Sequence, residues 1–68
     1  MSNLKTIREH VGISQAALAE KSEVSIRMIS FYEQGAKDIN KAAGITLYRL
    51  AQVLSCKIED LLELNTEE

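Results

Sequence analysis

The sequence predicts an all-α domain, and two observations carry that prediction. Apolar residues recur three or four positions apart through five separate stretches, the spacing that lines them up on one helical face. Between the stretches stand residues that start or stop helices: Ser2, Asn3, Ser14 and Ser25 as caps, Gly12 and Gly35 as left-handed ends. At 68 residues the chain makes one domain. A domain of this size buries only about 60% of its unfolded-state surface and holds little stability in reserve.

Taken in order, Ser2 or Asn3 caps a first helix in which Leu4, Ile7 and Val11 face the core. Gly12 ends it, and Ile13 is expected to be buried at the junction. Ser14 caps a second helix from Gln15 to about Lys21, and Ser25 caps a third from Ile26 to about Gln34, closed by Gly35. Leu18 and Ala19 on one helix face Ile29 and Tyr32 on the next, with Val24 plugging the corner, so the two cross steeply around a shared core. The turn Ser22-Glu23-Val24 lacks glycine; a left-handed Glu23 costs roughly 1 kcal/mol. A loop from Ala36 to Lys41 follows. A fourth helix is expected to start at Asn40 or nearby, with Ile45, Leu47, Leu50, Ala51 and Leu54 as its apolar stripe and Tyr48 and Arg49 toward an edge or a partner. Gly44 within its first turn weakens it by about 1 kcal/mol. A last short helix starts near Ile58, with Glu59 and Asp60 where the dipole favours acids. Leu61 and Leu62 close the core, and Leu64 is expected to be exposed or at a dimer contact. Residues 1–64 thus form the domain, and Asn65 to Glu68 an acidic tail that frays.

The composition, 46% apolar and 26% charged, is that of an ordinary soluble protein. A single cysteine allows no disulfide within the chain, and a reducing cytoplasm is the simplest compartment. The start MSNLKTIREH has no apolar run, so neither a signal peptide nor a membrane span is expected there. Cys56 and His10, the only Cys and His, make no zinc site, which takes four ligands. Cys56 reads as a small buried residue, His10 as a surface one. No Gly-rich phosphate loop, nucleophile elbow or metal-spaced carboxylate set is present, so no cofactor, small-molecule ligand or catalysis is expected. Glu59, Asp60 and Glu63 read as a solvated helical face.

The face of the third helix that has no core duty carries Ser25, Ile26, Arg27, Ser30, Phe31 and Gln34. A mixed polar, apolar and cationic face is what reading a DNA major groove requires. Arg27 suits a bidentate contact to guanine, or a grip on phosphate. Ile26 and Phe31 suit thymine methyl groups, with core or dimer packing as the plainer reading. Ser30 can meet phosphate or almost any base. Gln15, beside free N–H groups at a helix start, suits a phosphate; a solvated glutamine is the alternative. Lys37 and Lys41, either side of Asp38, could clamp the phosphate backbone or simply make a solvated loop. The net charge of −2 opposes nucleic acid, but five of the ten acids lie within residues 59–68. Residues 1–58 hold eight bases against five acids, a balance of +3. Local field outweighs the total.

The run Leu4, Ile7, Arg8, then Gly12-Ile13-Ser14-Gln15, Leu18-Ala19, Val24-Ser25, Ile29, Glu33 and Gly35 resembles the Cro/phage-repressor type, XRE-like helix-turn-helix regulators. LYRLAQVLSCKIEDLL resembles that family's fourth and fifth helices, so the likeness covers nearly the whole chain. It implies a compact five-helix lambda-repressor-like DNA-binding domain, with the helix-turn-helix formed by helices two and three. It also implies a homodimer on a two-fold operator in double-stranded DNA. By position, Gln15 would hold phosphate, Ser25, Ile26, Arg27, Ser30 and Phe31 would face bases or adjacent phosphates, and Gln34 and Lys37 would hold the backbone. Arg8 and Glu33 match a structural pair that bridges helix one to the end of helix three. Three departures stand out. Ser22-Glu23 replaces an apolar residue and glycine, which implies a looser corner. Ile26 replaces a long polar residue that could brace Gln15, and Lys57 replaces a capping Ser or Thr. The expected function is a bacterial or phage regulator of transcription, a repressor in the cytoplasm. Its control would come through concentration, dimerisation or a partner protein. The alternative is an antitoxin-like or adaptor module that turns Ile26 and Phe31 against another protein. Leu61, Leu64, Tyr48 and Arg49 are the candidates for the dimer surface.

Overall fold

Three serines open the first three helices: Ser14 and Ser25 as expected, and Ser2 rather than Asn3 for the first. Ser2 Oγ accepts from the Lys5 N–H at 3.1 Å to start α1 (Asn3–Val11). Ser14 Oγ accepts from the Ala17 N–H at 3.0 Å to start α2 (Gln15–Ser22), and Ser25 Oγ from the Met28 N–H at 3.1 Å to start α3 (Ile26–Gln34). Each bond satisfies a donor that a helix start otherwise leaves free. Gly12 and Gly35 end α1 and α3 with φ of 89° and 81°. A 3-10 turn (Ile39–Lys41), α4 (Gly44–Leu54) and α5 (Ile58–Leu61) complete the chain. The computed structural model describes residues 2–64, all helices and connections without a strand; the acidic tail of Asn65–Glu68 lies outside the described residues.

The core takes one fully buried side chain from each helix: Leu4, Leu18, Ile29, Leu50 and Leu61. Each such side chain contributes about 1.5–3 kcal/mol relative to exposure. Val24, Tyr32, Leu47, Ala51 and Leu54 surround them, with Ile7, Ile13, Ala19 and Leu62 packed at the edge. Helix α2 packs against both α3 and α4, which sets the angle of the α2–α3 pair.

The corner between α2 and α3 is closed without glycine. Glu23 takes the left-handed conformation at φ 63°, and its N–H donates to the Ala19 carbonyl at 2.9 Å. Ser22 is buried, and its Oγ accepts from the Val24 N–H at 3.2 Å. The expected looser corner is therefore not found: Ser22 and Val24 are buried, and Glu23 takes the left-handed conformation that glycine adopts more easily.

Other expectations are corrected. Helix α4 starts at Gly44, not near Asn40. Asp38 Oδ1 accepts from the Asn40 N–H at 2.9 Å and caps the 3-10 turn instead, which buries Ile39. Gly44 is thus the first residue of the helix, where its N–H has no helical partner in any case, so the interior penalty does not apply. Ile45 is 56% exposed. It lies about 200° around the helix from Leu47, so it cannot share that residue's face. Val11 is exposed as well: it is the last residue of α1, and Ile13, beyond the Gly12 turn, reaches the core in its place. Leu61 is fully buried and leaves the dimer-surface candidates, whereas Tyr48, Arg49 and Leu64 are exposed.

Two carboxylates assigned to a solvated face have structural partners. Asp60 Oδ2 accepts from the Lys57 N–H at 3.0 Å, which supplies half of a capping box where Lys57 has no oxygen to give. Glu63 Oε2 accepts from the Asn3 N–H at 2.6 Å, and the Leu62 carbonyl accepts from Asn3 Nδ2 at 2.7 Å. Asn40 holds the same segment like a short ladder: its Nδ2 donates to the Glu63 carbonyl at 3.0 Å, and its Oδ1 accepts from the Glu63 N–H at 2.7 Å. One-turn α5 is thereby strapped to the start of α1 and to the 3-10 turn.

The strain at Glu23 is relieved by glycine, offset in part by glycine's larger unfolded-state entropy. Glu23→Gly is expected to raise stability by about 0.5–1 kcal/mol. Urea denaturation checks this, and an unchanged or lower midpoint would contradict it.

Candidate nucleic-acid interface

Helix α3 is held from behind by a charged network. Arg8 Nε donates to Glu33 Oε2 at 2.7 Å, and Arg8 Nη2 to Glu33 Oε1 at 3.0 Å. The third guanidinium nitrogen, Nη1, donates to the Ile13 carbonyl at 2.8 Å. Gln15 Nε2 donates to Glu33 Oε1 at 2.9 Å. One planar guanidinium thus ties α1 to the α1–α2 junction and to the last turn of α3, and Glu33 extends the tie to the first residue of α2. The side chains of Arg8 and Glu33 are 11% and 2% exposed, and theirs is the one ion pair among the described residues. Removing one partner of a buried pair costs about 3–5 kcal/mol. A chain of this length has about 3–10 kcal/mol in all. The network therefore sets whether α3 is held at all.

Burial by itself pushes the Glu33 carboxyl up. The hydrogen bonds from Arg8 and Gln15, with the charges of Arg8 and Lys5, outweigh it and hold the pKa below the ordinary value. Arg8 is shifted the other way, chiefly by its hydrogen bond to Glu33. The pair is ionised wherever the domain is folded at neutral pH.

With Ile29 and Tyr32 buried, Met28 packed at the core's edge and Glu33 held by Arg8 and Gln15, the remaining residues of α3 face outward. Ile26, Arg27, Ser30, Phe31 and Gln34 recur at helical spacing along that side. Ile26 is 47% exposed, which removes core packing from its possible roles. Phe31 is half-buried but lies outside the core cluster. Ser25 Oγ is engaged in capping, and Gln34 Nε2 donates to Ser30 Oγ at 3.0 Å. Arg27 is exposed and has no ion-pair partner among the described residues.

The Phe31 carbonyl accepts from the Ala36 N–H at 2.8 Å and the Lys37 N–H at 3.2 Å. The backbone that carries Lys37 is therefore tied to the last turn of α3, with Lys37 itself exposed. Lys41 is exposed on the 3-10 turn. At the other end, Glu20 and Glu23 line a shallow depression with Ala16, Ala19, Val24 and Ile26.

Gln15 is half-buried at the start of α2, and the expected loss of its brace is corrected. Ile26 offers no polar atom, but Glu33 does the bracing from the far end of α3. Sequence spacing gave no sign of this bond, which joins residues 18 positions apart. Asn40 and Glu63 were missed for the same reason. Ile39 was also missed, although a lone apolar residue between Asp38 and Asn40 is a signal of burial.

Cys56 is half-buried, and burial first, then Asp60, pushes its thiol above the usual value, which makes it a poor nucleophile. His10 is exposed. No group of residues that could hold a metal ion occurs among the described residues, and no helix among them is long and apolar enough to cross a membrane.

A packed helix pair joined by a tight turn, with a pinned inner face and a free outer one, is the arrangement of a helix-turn-helix domain. The helix-turn-helix family model matches residues 4–61. The chain belongs to the Cro/C1-type, XRE-like helix-turn-helix family, and it is a DNA-binding regulatory domain of that class. Searches of curated proteins and of solved structures gave no match.

Glu33's pKa is depressed in the folded state, so its stabilisation is complete above the ordinary value of 4.5 and is lost as the pH falls through the lowered one. Thermal melts between about pH 6 and pH 3 should show the midpoint falling in the wild type and a flatter profile in Glu33→Gln. Parallel profiles would remove Glu33 from the acid response.

Proposed function

We propose that this protein is a sequence-specific regulator of transcription, a cytoplasmic repressor that binds a two-fold operator in double-stranded DNA as a homodimer. The observation that carries the reading is the division of α3. Ile29, Tyr32 and Glu33 fix its inner side, so its outer side, with Ile26, Arg27, Ser30, Phe31 and Gln34, is presented without a core duty. Arg27 reads a guanine edge in the major groove, and Ile26 and Phe31 lie against thymine methyl groups. Ser25 and Ser30 contact adjacent phosphates or bases. Gln15, Gln34, Lys37 and Lys41 hold the phosphate backbone on either side, which sets register without reading sequence. Exposed Tyr48, Arg49 and Leu64 are the surface from which a second copy is drawn.

Selection from a random duplex pool at near-physiological salt tests the reading. An enriched two-fold motif supports it, and the half-site spacing measures the dimer. Arg27→Ala should weaken specific binding by about 1–3 kcal/mol and relax preference at one base position. A footprint with the same preference would remove Arg27 from base readout. Lys37→Ala should lower affinity for all sequences and flatten the salt slope by about one unit; an unaltered slope would take Lys37 off the backbone.

A second reading is favoured by one observation: Ile26 is exposed beside the α2–α3 depression, where an apolar side chain of another protein would fit. In that case the domain is an antitoxin-like or adaptor module. Binding would then respond little to salt, whereas DNA binding weakens steeply with it.

A further inference from the structure

We propose that Glu33 is a positioning residue for DNA, acting through Gln15: it holds the Gln15 carboxamide in the orientation that grips a phosphate. The proposal rests on the reading of Gln15 as a phosphate contact. Glu33 already has both oxygens engaged by Arg8, Oε2 by Nε and Oε1 by Nη2. The bond from Gln15 Nε2 to Oε1 is additional to that pair, so the tie between α1 and α3 does not need it. Its effect falls on Gln15.

An ionised carboxylate only accepts hydrogen bonds, so it fixes which end of the carboxamide faces it. The nitrogen turns to Glu33, one of its two hydrogens is used there, and the other remains for a phosphate oxygen. Ser14 Oγ takes the Ala17 N–H, which leaves the Gln15 and Ala16 N–H groups of the same turn for the same anion. The side chain is thus ordered on folding rather than on binding, and the entropy of ordering it is not charged to the complex. Arg8 neutralises Glu33, so a carboxylate can stand beside a phosphate position without repelling it. No other brace is available from the start of α3, where Ile26 has no polar side-chain atom.

Side-chain amide relaxation and a double-mutant cycle test this. In the free wild-type protein, the Gln15 side-chain 15N should be as rigid as the backbone. The exposed Gln52, with no side-chain hydrogen bond among the described residues, should be mobile. Adding a duplex that carries the selected motif should leave Gln15 dynamics unchanged. Gln15→Ala should weaken binding to that duplex about three- to tenfold, and Glu33→Gln, which also loosens the Arg8 tie to α3, by at least as much, each variant being checked for folding at the assay temperature. The double variant should be no weaker than the weaker single one.

A Gln15 amide as mobile as Gln52, or one that becomes rigid only with DNA, would overturn the proposal. That arm needs no variant and decides the matter if Glu33→Gln does not fold. Additive losses would overturn the positioning role and leave Gln15 a phosphate contact. A rigid Gln15 whose removal leaves affinity unchanged would overturn the phosphate contact itself, and with it the proposal.

Discussion

Everything that α3 does depends on the pair Arg8–Glu33. Helix α3 has nine residues, too few to be stable alone in water, and only Ile29 and Tyr32 of its apolar side chains are buried. A helix so lightly anchored needs a directional constraint as well as an apolar one. The guanidinium supplies it, because its three nitrogens fix Glu33 on α3 and the Ile13 carbonyl at once. Apolar burial sets how deep the helix sits; the ion pair sets its rotation and where its last turn lies.

The rest of the domain is built as sparingly. Each helix gives one fully buried side chain, and α5 is a single turn. Such a turn has no stability of its own, since helix nucleation is unfavourable. The strap made by Asn3, Asn40 and Glu63 pins the chain just beyond α5, and Glu63 also satisfies a free N–H at the start of α1. Two of the acids near the end of the domain, Asp60 and Glu63, are thereby put to structural use. Asp60 caps α5 and Glu63 caps α1, whereas Lys37 rides on a loop bonded to the Phe31 carbonyl. A net charge of −2 is compatible with a DNA-binding face because the local field at that face outweighs the total.

Much of the candidate interface was legible because its signals are local. Caps act within three residues, so Ser2, Ser14 and Ser25 mark three helix starts correctly. The outer face of α3 follows from the helical period once Ile29 and Tyr32 are taken as core. Errors arose where phase or boundary was misjudged. Placing the start of α4 at Asn40 hid the 3-10 turn and buried Ile39, and counting Ile45 with Leu47 ignored the half-turn between them.

The helices, their caps, most of the core and the side chains that α3 has to spare are encoded locally along the chain. Periodicity and capping are short-range, so they can be read from one stretch at a time. How Gln15 is held, and that Leu62 and Glu63 are strapped to the start of α1 and to the 3-10 turn, follow only from the packing of the helices. Gln15 meets Glu33 across 18 positions, and Asn3 meets Glu63 across 60. Bonds of that span depend on where whole helices pack, and no local pattern of residues encodes them.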